Sequence, residues 1–334
     1  MNRTKGFSIL ICLFVLPLFL SAQKKYEFSH QQMGTQIGLI FYAPEDIDAE
    51  GVAKSVFQRI DGLNASLSNY IEDSELNNLG KWAPLEVGVS PELFQILKLS
   101  TAYAEKTDGA FDITLGPLIK LWKAALKRGE LPKKREITSV MERVGYWNLE
   151  FPTDTTVKLR KAGMQLDLGG IGKGFAADEA IKVLQKNRIH AALVDMGGDI
   201  TVSGSPPNKE YWVLGFSYFD EKGEAVLKKI QLRNQAIATS GDLYQYTLID
   251  GKRYSHIIDP KTGRALSNHI QVTTMAPNGA MADAYASALS VLGIRSGKKI
   301  VEETAGLEVF MVEDLPDQYA LWGTPGFYGH ILKD

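Results

Sequence analysis

The stretch Asp167-Leu-Gly-Gly-Ile-Gly-Lys-Gly-Phe-Ala-Ala-Asp178 decides how the rest of the chain is interpreted. A short apolar run, 164–168, precedes its glycines, a segment with helical spacing follows them, and a second apolar run covers 191–194. The order strand, glycine loop, helix, strand is typical of a turn that holds a phosphate. Glycine lets the backbone come close to a ligand, and a helix N-terminus offers free N–H groups to an anion. A tight turn whose glycines only satisfy packing is the alternative.

The side chains of this loop bear on the kind of ligand. Lys173 adds a full positive charge, and Asp167 is able to hold a hydroxyl, a ring nitrogen or a metal-bound water. The spacing from Gly172 to Ala177 also fits the loose dinucleotide fingerprint, with Asp195 near the expected acidic position. That pattern predicts an oxidoreductase only weakly, since charged side chains crowd a loop that normally uses bare backbone.

Composition limits the classes of function. The chain has 334 residues and a formal net charge of −2, which favours neither nucleic-acid binding nor a polybasic membrane surface. No internal repeat or linker is evident, so a single domain over 23–334 is expected. The five histidines show no spacing of the kind that binds a metal.

The N-terminus has the layout of a secretory signal peptide over residues 1–22. Arg3 and Lys5 precede the apolar run 9–20, and small residues follow it. We expect cleavage near Ala22 and an exported protein, periplasmic or on the outer face of the inner membrane; an uncleaved anchor is the alternative. The single cysteine, Cys12, lies in this run, so the mature chain is expected to have none.

The remaining segments favour an α+β fold rather than a doubly wound parallel sheet, because strands and helices are interspersed with hairpins. Apolar spacing predicts helices over 52–63 and from Pro91 to a stop at Gly109. The basic stretch 122–135 is interpreted as a surface loop or short helix. Asp250-Gly251 lies between the alternating runs 244–249 and 252–258, which predicts a type I′ hairpin. On its second strand Tyr254, His256 and Ile258 should face one way.

A helix rich in alanine and serine is predicted over 280–292, with Gly293 as its end. Asp283 and Ser287 are four residues apart and share a face. A carboxylate in so apolar a helix needs a partner, because an unpaired buried charge is costly. It either accepts hydrogen bonds from backbone N–H groups or is an oxygen ligand for a hard cation such as Mg²⁺.

Six motifs in order resemble one family, the ApbE family of FAD:protein FMN transferases, from about Met33 to past Gly293. They are Asp108-Gly-Ala-Phe-Asp-Ile-Thr-Leu-Gly-Pro-Leu, the stretch that begins at Asp167, Met196-Gly-Gly-Asp-Ile, Thr239-Ser-Gly-Asp, Tyr254-Ser-His-Ile-Ile-Asp-Pro-Lys-Thr-Gly and Ala282-Asp-Ala-Tyr-Ala-Ser-Ala-Leu. The resemblance implies an ApbE-like (T-fold-like) α+β fold, with largely antiparallel sheets packed with helices and FAD in a cleft.

The resemblance also implies an activity. Such a protein is an exported, Mg²⁺-dependent enzyme that cleaves the pyrophosphate of its substrate FAD. It moves FMN to a threonine hydroxyl of an acceptor flavoprotein and releases AMP. Acceptors in the family are typically subunits of membrane redox pumps or extracytoplasmic electron carriers.

The family's functional positions map onto this sequence one by one. The residues implied to line the FAD site are Met33, Tyr70, Ala110, Phe111, Asp112, Asp167, Lys173 and Ile257. Mg²⁺ would be held by the carbonyl of Gly170, by Asp283 and by Ser287, where the family often has threonine. Gly172 stands where the family's loop often has alanine.

The attacking group of such a reaction is a neutral threonine hydroxyl, so a base is expected nearby. His256 is the candidate because a histidine pKa lies near working pH. Asp259 would orient His256 or substitute for it; a hairpin histidine bonded to a neighbouring carboxylate is the alternative. Two other functions stay open: an FAD pyrophosphatase that uses water as acceptor, and a non-catalytic exported flavin-binding protein.

Overall fold

The computed structural model describes residues 23–242, 246–315 and 318–333. The predicted signal peptide 1–22, with Cys12 and the cleavage position near Ala22, lies outside the described residues, as does Tyr244 of the predicted hairpin. Across the described ranges, no helix combines the length and the apolarity that crossing a membrane requires.

The elements alternate along the described chain without separating into a helical and a strand half. The helices are α1 (Ala49–Leu67), α2 (Glu75–Lys81), α3 (Pro91–Lys106), α4 (Gly116–Lys127), α5 (Lys134–Met141), α6 (Gly172–Lys186), α7 (Gly279–Glu302) and α8 (Pro325–His330). The strands are β1 (Gln23–Gln32), β2 (Thr35–Pro44), β3 (Glu86–Gly88), β4 (Leu149–Glu150), β5 (Thr156–Leu159), β6 (Ala191–Asp195), β7 (Ile200–Ser203), β8 (Trp212–Phe219), β9 (Ala225–Leu232), β10 (Gln235–Gly241), β11 (Tyr246–Ile249), β12 (Lys252–Ser255), β13 (Ile258–Asp259), β14 (Arg264–Ala265), β15 (Ile270–Ala276), β16 (Glu308–Asp314) and β17 (Tyr319–Gly323). Short 3-10 helices cover Ile113–Leu115 and Tyr146–Asn148.

The centre of the fold is an eight-stranded sheet in the order β1-β2-β6-β7-β10-β15-β16-β17. Neighbouring strands in it pair antiparallel throughout. Smaller antiparallel sheets are formed by β8 with β9, β11 with β12, β13 with β14, and β3, β5 and β4. The predicted α+β class with largely antiparallel sheets is therefore confirmed.

The main sheet is buried on both faces. In β10, Ala236 and Ala238 join a large core with α1, α3, α6 and α7, whereas Ile237 points into a second core under β8, β9 and α8. This division follows from the two-residue period of a strand, which sends alternate side chains to opposite faces. The helices that carry the glycine loop and Asp283 thus lie together on one face of the sheet.

Most predicted elements form, and their local signals explain them. The apolar stripe of α1 is buried at Val52, Val56, Ile60 and Leu63. Ser90 caps α3 by accepting the Leu93 N–H at 3.2 Å. Asp250 and Gly251 both have positive φ, 50° and 73°, as a type I′ turn between β11 and β12 requires.

One prediction is wrong for a physical reason, and another is incomplete. Residues 164–168 form no strand; they are a largely buried irregular segment whose Asp167 N–H donates to the Ile113 carbonyl at 2.7 Å. A 3-10 helix and α4, rather than a partner strand, lie beside it. The stretch 122–135 is mostly exposed and partly helical, as predicted, but α4 already starts at Gly116 and buries Trp122, whose Nε1 donates to the Gly263 carbonyl at 2.8 Å.

Two further predictions hold only in part. Gly293 breaks α7 with φ of 68°, but the helix resumes beyond it to Glu302. The second hairpin strand ends at Ser255, so His256 and Ile258 do not share a face as predicted: His256 is exposed and Ile258 is buried.

Candidate active site

A cavity of about 720 Å³ opens between the N-terminal turns of α6 and α7 on one side and α4 with the segment around His256 on the other. The predicted site residues that line it are Tyr70, Ala110, Phe111, Asp112, Asp167, Gly170, Lys173, His256, Ile257, Asp283 and Ser287. Met33 and Asp259 are not among its lining residues. The fold therefore brings together most of the residues that the resemblance selected, from segments as distant in sequence as Tyr70 and Ser287.

Three charged residues, Lys173, Asp199 and Asp283, form the floor of the cavity. Lys173 is the second residue of α6 and forms an ion pair with Asp199, which lies in the turn between β6 and β7. Burial lowers the pKa of Lys173, but the charges of Asp199, Asp283 and Asp195 outweigh it, and the pKa is raised above its ordinary value. The lysine is therefore held in its charged form.

Asp283 is a buried acid of the floor, with 6% of its surface exposed. Its Oδ2 accepts the Gly174 N–H at 3.2 Å. Burial, and then the charge of Asp199, raise the pKa of Asp283 well above its ordinary value, against the opposing effect of Lys173. Such a carboxyl is stabilised as an anion when a cation binds beside it.

The surroundings of Asp283 fit a hard divalent cation. Gly170 lies so close to Ser287 that a Cβ at position 170 would stand 2.7 Å from the serine Oγ, so only glycine leaves this space open. Within the described ranges, no group of three or more His, Cys, Asp or Glu residues is placed to hold a metal. A cation here would rely on one carboxylate, a hydroxyl, a backbone carbonyl and water, a set that suits Mg²⁺.

Asp167 lies at the base of the glycine loop. Its Oδ1 accepts the Gly169 N–H at 2.8 Å, and its Oδ2 accepts from the Asn69 amide. Burial raises its pKa, while the Gly169 hydrogen bond, the charge of Lys123 and the Asn69 hydrogen bond oppose the shift. The carboxylate therefore ties the loop to the connection after α1 and still faces the cavity.

The Asp112 carboxylate is used mainly inside the protein. Oδ1 accepts from the N–H and the hydroxyl of Thr114 at 2.8 and 2.7 Å, and Oδ2 accepts the Tyr146 N–H at 2.9 Å. Burial raises its pKa despite these bonds. Asp112 thus fixes the segment that carries Ala110 and Phe111 into the cavity wall.

The rim of the cavity consists of Tyr70, Lys123 and His256, all exposed. Tyr70 is 81% exposed, and Lys123 Nζ lies 4.9 Å from its ring centroid and 3.2 Å from its hydroxyl. A cation over an aromatic face is attracted to it, which steadies the ring at the mouth.

His256 projects from an outward turn that is anchored on both sides. Ser255 donates its N–H to the Leu266 carbonyl at 2.9 Å, and Leu266 donates back to the Ile257 carbonyl at 2.9 Å. The Asp259 carboxylate accepts the Lys261 N–H at 2.8 Å and the Thr262 hydroxyl at 2.7 Å, so it stabilises the following turn. Its predicted role toward His256 stays a prediction.

Met33 lies in the turn between β1 and β2, with φ of 53°, and packs against the large core. Its predicted contact with FAD also stays a prediction.

Known proteins match nearly the whole chain. The model of the ApbE family matches residues 33–311.

The chain belongs to the ApbE family.

Curated and solved relatives of this ApbE chain agree with the family match. A protein of Escherichia coli (strain K12) named FAD:protein FMN transferase is 30% identical over 303 residues, covering 86% of this chain and 85% of its own length. The flavinyl transferase ApbE of Pseudomonas stutzeri, solved in its apo form, has a TM-score of 0.83 at 26% identity and covers 92% of this chain and 97% of its own. The apbe protein of Thermotoga maritima has a TM-score of 0.82 at 29% identity, with coverage of 93% and 100%.

Sequence reasoning missed three residues of this ApbE site. Asp199 belongs to the motif Met196-Gly-Gly-Asp-Ile, but nothing in its spacing shows that it pairs with Lys173. The sequence does carry a signal for Lys123. The apolar positions Leu118, Trp122 and Ala125 have helical spacing, which predicts α4 and leaves Lys123 off its buried stripe; the structure places that side chain at the cavity. Asn69 gave no signal, because its bond to Asp167 joins positions 98 residues apart.

Proposed function

We propose that this chain is an Mg²⁺-dependent FAD:protein FMN transferase that acts on a threonine hydroxyl of an acceptor flavoprotein and releases AMP. One observation carries the proposal: a single cavity joins a glycine loop with a charged lysine, a buried carboxylate, aromatic side chains and an exposed histidine. Those are the groups needed to hold a dinucleotide by its pyrophosphate and its flavin and to let a protein hydroxyl reach it.

FAD binding would use the two kinds of surface that the cavity offers. The N-terminus of α6 supplies a partial positive charge for the pyrophosphate, and Lys173 adds a full one. Tyr70 at the mouth offers a ring face against which a flavin can stack, and Phe111, 5% exposed, forms an apolar part of the wall.

Mg²⁺ would be held by Gly170, through its carbonyl, by Asp283 and by Ser287. When bound, the ion supplies charge neutralisation for the phosphates, which phosphoryl transfer requires. The raised pKa of Asp283 supports this assignment, since a buried carboxyl without a full cationic partner is disfavoured as an anion.

In the transfer step the threonine oxygen forms a bond to the phosphorus of the FMN half, and the bond from that phosphorus to the oxygen shared with AMP breaks. AMP leaves with that oxygen. His256, exposed at the rim, would take the proton of the hydroxyl as the new bond forms. Lys173 and the α6 N-terminus hold the phosphates in place during the exchange.

The location and the acceptor belong to the same proposal. The leader-like residues 1–22 support export to the periplasm or the outer face of the inner membrane. An acceptor there would be a subunit of a membrane redox pump or an extracytoplasmic electron carrier.

The test incubates protein lacking residues 1–22 with FAD, Mg²⁺ and a threonine-bearing acceptor domain, and follows acceptor mass and free nucleotides together. We expect the acceptor to gain the mass of FMN less water, with an equal amount of AMP. Free FMN and AMP beside an unmodified acceptor would indicate a pyrophosphatase. Bound FAD that is never cleaved would leave a flavin-binding protein and overturn the proposal.

A further inference from the structure

The first turns of α6 and α7 meet backbone against backbone. Gly174 and Gly279 touch so closely that a Cβ at either position would overlap the carbonyl oxygen of the other. No side chain separates the two helices at this point, so the location of one N-terminus fixes that of the other.

Each of these helices has its N–H groups satisfied by an aspartate of the other. Asp178 of α6 accepts the Gly279 N–H at 2.6 Å and the Ala280 N–H at 2.9 Å. In return, Asp283 of α7 accepts the Gly174 N–H at 3.2 Å. The first N–H groups of a helix have no partner within it, so both aspartates act as caps supplied from outside. We call this pair of caps the clasp.

The two ends of the clasp differ in what else supports them. Helix α7 has a cap of its own, since Asn278 accepts the Met281 N–H at 2.9 Å. Helix α6 has no capping side chain at its N-cap residue, Ile171. Asp178 is therefore not needed merely to start α7, whereas Asp283 is the external cap of α6.

A restraint on Asp283 is needed because of its neighbours. The carboxylate of Asp283 is buried, and the negative charge of Asp199 repels it while the positive charge of Lys173 attracts it. Any shift of the first turn of α7 would change the distances from Asp283 to Asp199 and to Lys173. Asp178 holds that turn but does not line the cavity.

We propose that Asp178 is a positioning residue: by binding the first two N–H groups of α7, it holds Asp283 against the N-terminus of α6 and beside the space proposed for Mg²⁺. This rests on the proposed function only for the identity of the ion. The placement of Asp283 at Gly174 is a property of the ligand-free protein.

Hydrogen exchange at the Gly174 amide, measured on chelator-treated protein without FAD, tests the placement directly. This amide binds Asp283, not Asp178, so loss of the α7 cap alone does not expose it. In Asp178→Ala we expect its exchange to be roughly tenfold faster, as for loss of a hydrogen bond to a charged group. Asp178→Asn keeps one acceptor oxygen and should lie between the wild type and Asp178→Ala.

Mg²⁺ titration of the same proteins gives the functional reading. Loss of a group that orients a metal ligand weakens metal affinity by roughly 10- to 100-fold. We expect Asp178→Ala to raise the Mg²⁺ dissociation constant within that range, with little change of kcat at saturating Mg²⁺. Asp178→Glu, which restores a carboxylate, should recover part of the affinity.

Asp48→Ala is the matched control. Asp48 caps α1 by accepting the Gly51 N–H at 2.9 Å and is exposed. Its loss should lower stability while leaving the Gly174 exchange and the Mg²⁺ affinity unchanged.

The proposal is overturned if Asp178→Ala speeds exchange at Gly279 and Ala280 while the Gly174 amide and the Mg²⁺ affinity stay as in the wild type. If that variant does not fold, Asp178→Asn is judged by the same two readings. If the wild type binds no Mg²⁺, the metal assignment of the proposed function fails, and the Gly174 exchange still decides the role of Asp178.

Discussion

The floor and the rim of the cavity are built in opposite ways. The floor residues are charged and are bonded to other parts of the chain: Lys173 forms an ion pair with Asp199, and Asp283 accepts the Gly174 N–H. Rim residues such as Tyr70 are exposed and project from separate segments. Under the proposed function, the floor would hold the pyrophosphate and its ion, and the open rim would hold the flavin and admit a protein acceptor.

The largest effect is expected from the floor. Asp283→Ala removes the only carboxylate proposed to hold Mg²⁺, and a catalytic metal contributes several kcal/mol. Since about 1.4 kcal/mol is a factor of ten, AMP release should fall by roughly three orders of magnitude. AMP is measured in chelator-treated buffer to which Mg²⁺ is restored, with Asp48→Ala as the control. Full activity of Asp283→Ala would mean that the metal assignment is wrong.

The next effect comes from the rim and should separate chemistry from binding. His256→Ala should slow transfer roughly 100-fold or more, the usual loss on removing a general base, while FAD binding persists. Transfer is followed by acceptor mass and FAD binding by flavin fluorescence. His190, an exposed histidine that does not line the cavity, supplies the control His190→Ala. Normal transfer by His256→Ala would remove this residue from the mechanism.

A third prediction concerns the support below the floor. Burial raises the pKa of Asp178 to about 6. The hydrogen bonds from the N–H groups of Ala280 and Gly279 and the charge of Lys182 lower this pKa, but their effect is smaller than that of burial. The charge of Glu179 raises it a little further. A raised carboxyl pKa adds stability below the unfolded pKa, and that stability is lost as pH rises through the folded pKa.

The free energy of unfolding of the wild type, relative to Asp178→Asn, should therefore fall between pH 4 and pH 7. The upper limit is about 3 kcal/mol, from about two pKa units at about 1.4 kcal/mol each. Urea unfolding of both proteins at the two pH values measures the difference, in which the other carboxyl groups cancel. A difference that grows with pH would contradict the direction of the shift.

The smallest effect is expected at the outer edge of the rim. Tyr70→Ala should weaken FAD binding roughly three- to tenfold, since an aromatic stacking contact contributes about 0.5–1.5 kcal/mol. Tyr70→Phe keeps the ring and should bind almost as the wild type does. Fluorescence titration with FAD measures both. A loss in Tyr70→Phe as large as in Tyr70→Ala would assign the effect to the hydroxyl near Lys123 instead.

The sequence predicted those parts of the fold that local signals control. The Asp250-Gly251 turn, the cap at Ser90 and the buried stripe of α1 depend on neighbours within a few residues, and all three form. The prediction of a strand over 164–168 was wrong because a short apolar run can be buried either as a strand or as an irregular segment without a partner strand. Only the packing of α4 and the Ile113 carbonyl against it decides between these.

For the site, most of the residues that the resemblance selected line one cavity, but the resemblance did not show which of them are bonded to each other. Two pairs illustrate this: Asp199 with Lys173, and Asp178 with Gly279. Each pair joins separate segments, and no sequence periodicity predicts that these segments are in contact. The outward turn at His256 was missed for a similar reason. The two-residue period assumes an unbroken strand, whereas bonds between Leu266 and both Ser255 and Ile257 interrupt it.

The clasp also has a consequence for how the chain folds. The bond between Gly174 and Asp283 joins positions 109 residues apart, and the bond between Gly279 and Asp178 joins positions 101 residues apart. A long loop must therefore close before either bond forms. Contacts between distant positions are slow to form because the chain entropy is lost before the bonds repay it. We therefore expect the Gly174 amide to gain protection only in the last phase of refolding in a pulsed-exchange experiment, after the hairpin of β11 and β12. Earlier protection would show that the two helices meet before the sheet is complete; if the order is as expected, the cavity is the last part of this molecule to be assembled.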